Sequence, residues 1–284
     1  MNLKNGGRGA GRRRRSALPF PLLTAVLGFS LFFGQNGTAA QTASAVTARA
    51  EGWQVLDKGL CYRAVSLQRE GSHWRGLMHQ LKFDLALWKP VLCQSSEFGK
   101  KAASVREVRE YKGAAAAVNA CFFDENGRTL GYLQQNGREI DPYIYPTGGL
   151  LTGVFEVYRQ RAVVWYRDNF QPIGCELALQ AGPRLVDEGE GLSGLRGERE
   201  RLSGLAVCRS GEVVFYNNEY SIPLTLAECR DILMSSEEKG GVNPRYALNL
   251  DGGRSAAISI KTDSFSLERQ GVRDVPAFLT VKKR

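Results

Sequence analysis

Ala247-Leu248-Asn249-Leu250-Asp251-Gly252-Gly253-Arg254-Ser255 is the stretch on which the reading turns. With Tyr246 it begins as an apolar strand, Tyr246 to Leu250, and it ends in Asp-Gly-Gly. Side chains at i and i+2 of a strand share a face, so Asn249 and Asp251 arrive on the same side of its end. Two glycines then let the backbone turn sharply or approach a ligand closely. A carboxylate, an amide, a hydroxyl and a guanidinium stand within the run Asn249 to Ser255, in the strand-end position where sites tend to be built. A plain Asp-Gly turn between two strands accounts for the same residues without any function.

Working outward, strand signals dominate. Ala256 to Ile260 and Ala277 to Val281 read as the strands that follow. Residues 150–158, 161–166, 175–181, 203–208 and 211–216 read as strands before it, with Arg209-Ser210-Gly211 turning between the last two. Leu81 to Leu87 alternates as a half-buried strand should. Ala114 to Phe123 is a continuous small-apolar run, the pattern of a strand buried on both faces. Asn136-Gly137 is a hairpin dipeptide and Asn126-Gly127 a turn. Two helices are expected. Ser104-x-x-Glu107 and Thr225-x-x-Glu228 are capping boxes, placing helices at about 104–111 and 226–235, stopped by Gly113 and by Gly240-Gly241. The sum predicts an α+β fold: a single strand-rich domain with a mixed β-sheet and two main helices.

Two further segments carry chemistry-bearing residues. In Val118-Asn119-Ala120-Cys121-Phe122-Phe123-Asp124 a polar Asn sits inside a buried strand; an unpaired buried amide costs about 1–3 kcal/mol, so Asn119 needs partners, in a site or in the core. In Leu179-Gln180-Ala181-Gly182-Pro183-Arg184, Gln180 ends a strand before a Gly-Pro turn.

The first forty residues differ from the rest. Lys4, Arg8 and Arg12 to Arg15 carry six positive charges and no acid, followed by an apolar stretch from Ala17 to Phe33 and then by small residues. A basic n-region, a short h-region and an A-x-A-like site form a secretory signal. Pro21 to Phe33 falls short of the ~20 apolar residues of a spanning helix, which disfavours an anchor; Arg14-Arg15 also allows a twin-arginine signal. The expected organisation is a signal peptide at 1–40, a flexible leader at 41–52 and a folded domain at 53–284. The full chain carries +9, of which the segment 1–40 supplies +6, so the remainder is near +3 and gives no case for nucleic-acid binding. No stable membrane insertion is expected after signal cleavage. The six cysteines include no C-x-x-C pair; export permits disulfides, and strand-like surroundings equally suit small core residues.

These segments, in this order, resemble the phosphodiester glycosidase family, which includes the enzyme that uncovers mannose 6-phosphate and exported bacterial proteins associated with exopolysaccharides. The matching pieces are Asn119 to Phe123, Gln180 to Pro183, Arg201 ahead of the strand Gly204 to Cys208, and Asn249 to Ser255, with Asp274-Val275-Pro276 closing. Arg199 also fits the arginine's place. The chain departs from the pattern at Cys121, where a small residue such as Gly is usual, at Arg254, where Gly is frequent, and at Ala256, where Ser or Thr is common.

The resemblance implies hydrolysis of a sugar-1-phosphodiester or related glycan linkage, with a glycan or sugar-phosphate substrate and no cofactor or metal. Such hydrolysis passes through an oxocarbenium-like centre that needs a carboxylate, here Asp251. The departing phosphate needs cationic and amide donors, which implies Arg201 and Arg254 for the phosphate, and Asn119, Gln180 and Asn249 for phosphate or sugar oxygens. Gly252, Gly253 and Ser255 shape the loop, Phe123 offers a face to a sugar, and Asp124 is the nearest second carboxylate. A glycan-binding or envelope-associated protein on the same fold without catalysis is the rival. His73 and His79 are the only histidines, and neither a G-x-S-x-G elbow nor a P-loop is present.

Overall fold

Both capping boxes form. In the computed structural model, which describes residues 45–284 apart from 147 and 173, Ser104 Oγ accepts from the Glu107 amide while the Glu107 carboxylate accepts from the Ser104 amide at 2.9 Å. Helix α1 therefore starts at Val105, runs to Lys112, and stops at Gly113 in the left-handed region (φ 55°). Thr225 and Glu228 cap helix α2 (Leu226–Met234) in the same way. The expected signal segment lies outside the described residues.

The strands in chain order are β1 (Val46–Ala50), β2 (Gln54–Asp57), β3 (Leu60–Arg69), β4 (Arg75–Phe83), β5 (Trp88–Gln94), β6 (Ala116–Asn119), β7 (Leu133–Gln135), β8 (Arg138–Asp141), β9 (Gly153–Tyr158), β10 (Arg161–Tyr166), β11 (Leu177–Ala181), β12 (Arg184–Asp187), β13 (Glu190–Gly191), β14 (Ser203–Cys208), β15 (Val213–Asn218), β16 (Pro244–Asn249), β17 (Ile258–Lys261), β18 (Ser266–Arg269) and β19 (Ala277–Lys283). They form three sheets. The largest runs β1-β3-β4-β15-β14-β16-β12-β13, with β2 beside β3; the other two run β10-β9-β11-β7-β8 and β18-β17-β6-β19-β5.

Two expectations need correction. The sheets are not mixed: each strand pairing among the described residues is antiparallel. Parallel pairing needs long crossovers, whereas many strands here follow one another through short turns. The helix content is small, so the domain is mostly β. The 41–52 leader is also not wholly a flexible segment. Val46–Ala50 pairs with Val65–Arg69 as an edge strand, and its Val46, Ala48 and Ala50 pack on the core formed by α2 and the large sheet.

The main core lies where the sheets face one another and includes Phe83, Leu133, Phe155, Leu205, Phe215 and Leu248. The six cysteines are free thiols; Cys93, Cys121, Cys175, Cys208 and Cys229 are buried in these clusters as small apolar residues, and burial raises the Cys121 thiol to about 12. What positions the site is the meeting of two sheets: β6 is internal to its sheet and β16 to the large one, and the amide of Asp251, just past β16, donates to the Ala120 carbonyl, just past β6, at 3.2 Å.

Candidate functional site

The loop after β16 is held at both ends by one buried amide. Asn119 Nδ2 donates to the Asp251 carbonyl at 2.6 Å, and Asn119 Oδ1 accepts from the Ala257 amide at 2.9 Å. Asn119 is fully buried, with both ends of its amide engaged, so its place is that of a staple rather than of a group facing substrate. Gly253 is left-handed (φ 56°), its amide donates to the Arg201 carbonyl at 2.7 Å, and a Cβ there would lie 2.9 Å from Glu200 Oε2. A side chain at 253 would be strained by that left-handed backbone and would push the Glu200 carboxylate aside.

Asp251 is 8% exposed, and its carboxyl is raised to about 6. Burial is the main cause; the Glu200 charge adds to it, and a hydrogen bond from Ser255, the Arg273 charge and the Gly252 amide oppose it. Arg273 Nη2 stands 3.8 Å from Asp251 Oδ2, and Arg273 Nε donates to Ser255 Oγ at 3.0 Å. The fully buried Ser255 hydroxyl therefore links cation and acid. The Arg273 guanidinium lies 4.5 Å from the Phe123 ring centre, a cation–π contact, and its side chain is 49% exposed. An acid, a hydroxyl, a solvent-facing guanidinium and an aromatic face thus converge on one spot.

The other expected residues are placed differently. Arg201 is 3% exposed, with Nε on the Asn218 carbonyl, Nη1 on the Gln270 carbonyl and Nη2 on Asn217 Oδ1 and the Arg269 carbonyl. It stacks on Tyr220 at 4.8 Å, and the Tyr220 hydroxyl donates to the Gly253 carbonyl. Arg201 thus braces the loop from behind, with each guanidinium nitrogen engaged by a protein acceptor. Arg199 lies in an ion pair with Glu228 on α2. Gln180 is also buried and committed: Oε1 accepts from the Tyr132 and Tyr145 amides, and Nε2 donates to the Tyr145 and Leu151 carbonyls, clamping the loop before β9. Asp124 Oδ1 accepts from the Asn126 and Arg128 amides and builds its own turn. Asn249 donates to the Gly182 and Leu250 carbonyls, while its buried Oδ1 has no partner among the described residues. Arg254 is exposed, and its carbonyl accepts from the Val272 and Arg273 amides, which fixes the arginine beside Asp251. Gly252 packs with a Cβ position 3.1 Å from the Arg201 carbonyl.

Sequence reasoning missed Arg273 and Glu200. Arg273 directly precedes the Asp274-Val275-Pro276 piece, and Glu200 adjoins Arg201, but no local pattern separates them from neighbouring surface charges. His79 is no part of this site. Its ring nitrogens meet the Tyr62 hydroxyl at 2.9 Å and Glu219 at 3.3 Å, and burial, aided by the Arg269 charge, pulls its pKa to about 4.

The phosphodiester glycosidase family matches the chain over residues 112–282, which includes the Asn119, Gln180, Arg201 and Asp251 segments and Arg273. The chain belongs to that family. Among solved structures it is similar to the zebrafish N-acetylglucosamine-1-phosphodiester alpha-N-acetylglucosaminidase catalytic domain auto-inhibited by its pro-peptide, at 14% identity and a TM-score of 0.62, over 84% of this chain and 89% of that one. It is also similar to a hypothetical protein from Synechocystis, at 16% identity and a TM-score of 0.55, over 80% of this chain and 62% of that one. At such identities these likenesses speak to the fold. No curated protein matches the sequence. Within this phosphodiester glycosidase fold, the scaffold is formed by Asn119, Gln180 and Arg201, while the buried acid Asp251 meets the half-exposed Arg273, which lies over Phe123.

Proposed function

We propose that this chain is an exported hydrolase that cleaves a glycosyl phosphodiester or a related glycan linkage. The observation that carries the reading is the pairing of Asp251 with Arg273. A carboxyl raised to about 6 is largely ionised at neutral pH, and a half-exposed guanidinium lies beside it. The carboxylate would stabilise or attack the oxocarbenium-like centre, or activate water against it. The leaving group, a phosphate ester, is a weak base and needs no strong general acid. It needs a cation, and the Arg273 fork fits phosphate oxygens. Glu200, whose carboxyl burial and Glu198 push upward, is the second carboxylate at the loop. The Phe123 ring, under Arg273, offers an apolar face to a sugar.

Family membership supports the reaction class, and the zebrafish relative's substrate class suggests the linkage. Export rests on the basic, apolar and small-residue order of residues 1–40 and places the enzyme in the periplasm or outside the cell. Its partner is then a glycan or sugar-phosphate substrate. The test is turnover of a panel of sugar-1-phosphodiesters, read as released sugar. Asp251→Asn lowers turnover of an active substrate by about a thousandfold or more; a folded variant with full turnover refutes the role.

Non-catalytic glycan binding is the second reading. It is favoured by the low exposure of Asp251 and by the commitment of the Asn119, Gln180 and Arg201 polar groups to the fold. Saturable glycan binding with no product at high protein concentration decides for it.

A further inference from the structure

A cleft of about 700 Å³ lies where the start of β12 meets the loop after β13, and it is built from different residues from the Asp251 site. Its lining includes Arg184, Arg196, Thr152, Ser193 and Tyr166, with leucines between them. The volume lies within the range of small-molecule sites, and the lining has the usual character of one, apolar walls with a few placed polar groups.

Arg184 is the organising residue. Its Nη1 is held by Asp187 at 2.7 Å, and its guanidinium lies 5.0 Å from the Tyr166 ring centre, so the plane of the fork is fixed. That leaves Nη2 as the guanidinium nitrogen that can meet a carboxylate or phosphate oxygen with a charge-assisted hydrogen bond. Nε is buried and has no acceptor, and no protein acceptor meets Nη2 among the described residues. Thr152 Oγ1 already accepts from the Arg184 amide at 3.0 Å, so its own hydrogen is free to be donated elsewhere. Arg196 is exposed and makes no ion pair among the described residues. Two guanidinium groups against one carboxylate leave the cleft short of one negative charge.

We propose that this cleft is a second ligand site, which binds an anionic saccharide through its carboxylate or phosphate while the leucines and Tyr166 cover the apolar face of the sugar ring. Arg184 Nη2 takes the oxyanion, Arg196 adds charge from the exposed side of the cleft, and the Thr152 and Ser193 hydroxyls meet sugar oxygens. The site is distinct from Asp251, so it can hold a charged polysaccharide independently of catalysis.

Calorimetric titration of the purified chain with glucose 6-phosphate, glucuronate and glucose tests this. At least one of the two anionic sugars is expected to bind, more tightly at low salt, and the one that binds identifies the oxyanion; glucose is not expected to bind. Arg184→Gln and Arg196→Gln each weaken that binding by about tenfold or more, while Asp251→Asn leaves it unchanged. If Arg184→Gln does not fold, the exposed Arg196→Gln carries the same test. Absence of binding by both anions up to about 10 mM, binding of glucose as strong as theirs, or loss of binding on Asp251→Asn with both arginine variants unaffected overturns the proposal.

Discussion

Two sets of polar residues flank the loop after β16, and they differ in what their polar atoms do. In one set, Asn119, Gln180 and Arg201 are buried and their side-chain nitrogens and oxygens are engaged by protein partners. In the other, Asp251 is shifted by burial, Arg273 is half exposed, and Ser255 connects them. The first set resembles a satisfied core network, in which each group is matched. The second contains an acid whose ionisation the protein opposes, which is the usual mark of a working group. The polar residues of a motif thus divide into those that shape a loop and those that use it, and the hydrogen-bond partners tell them apart.

Substitutions can break or sharpen this division. Arg201→Gln has the largest expected effect on stability. It leaves the buried Asn218 carbonyl and the half-buried carbonyls of Arg269 and Gln270 without these donors, and a loss of about 3 kcal/mol is expected, seen as a fall of roughly 6–12 °C in the melting temperature. A variant that melts like the parent but loses phosphate-dependent binding would move Arg201 into the second set.

Asp251→Asn has the next largest effect and the opposite sign. The folded carboxyl titrates near 6, above its ordinary 3.8, so its favourable contribution is complete below about 3.8 and is lost as pH rises through about 6. Above pH 6 the parent carries a penalty of about 2–3 kcal/mol. The asparagine variant is expected to be more stable than the parent at pH 8 and to lose that advantage near pH 4, by chemical denaturation at both values. An unchanged pH dependence of stability would mean the acid is not opposed by its surroundings.

The smallest effect belongs to Glu200→Gln. Removing a negative charge that raises the Asp251 carboxyl should move that titration down, read from the carboxyl carbon signal by NMR. A titration that stays in place would take Glu200 out of the site's electrostatics.

Much of the local structure was legible. The two capping boxes located both helices, because the signal lies within four residues of the helix start. Asn136-Gly137 turned β7 into β8 through positive φ at both residues, 52° and 75°. Strand partners were not legible. Ala114 to Phe123 is continuous and apolar, which suits a parallel sheet, yet β6 is central in an antiparallel one; Ala116 and Val118 face one core cluster and Ala117 another, so both faces are covered. The site was legible in part for the same reason. Asn249 and Asp251 declare themselves through their spacing at the end of one strand, whereas Arg273 reaches the acid only because the Arg254 carbonyl captures the Val272 and Arg273 amides, a long-range event with no local signature. The sequence marked Arg201 as an arginine near the site, but only its partners reveal that it faces inward.

The pH profile of kcat/KM on an active sugar-1-phosphodiester, measured for the parent and for Arg273→Gln, tests the account most directly. The parent profile is expected to rise through an apparent pKa near 6 as Asp251 ionises, and in Arg273→Gln that limb should shift upward while the rate falls about a hundredfold. A parent profile without that limb, or one that Arg273→Gln leaves in place, would contradict the assignment of Asp251 and Arg273 as the working pair.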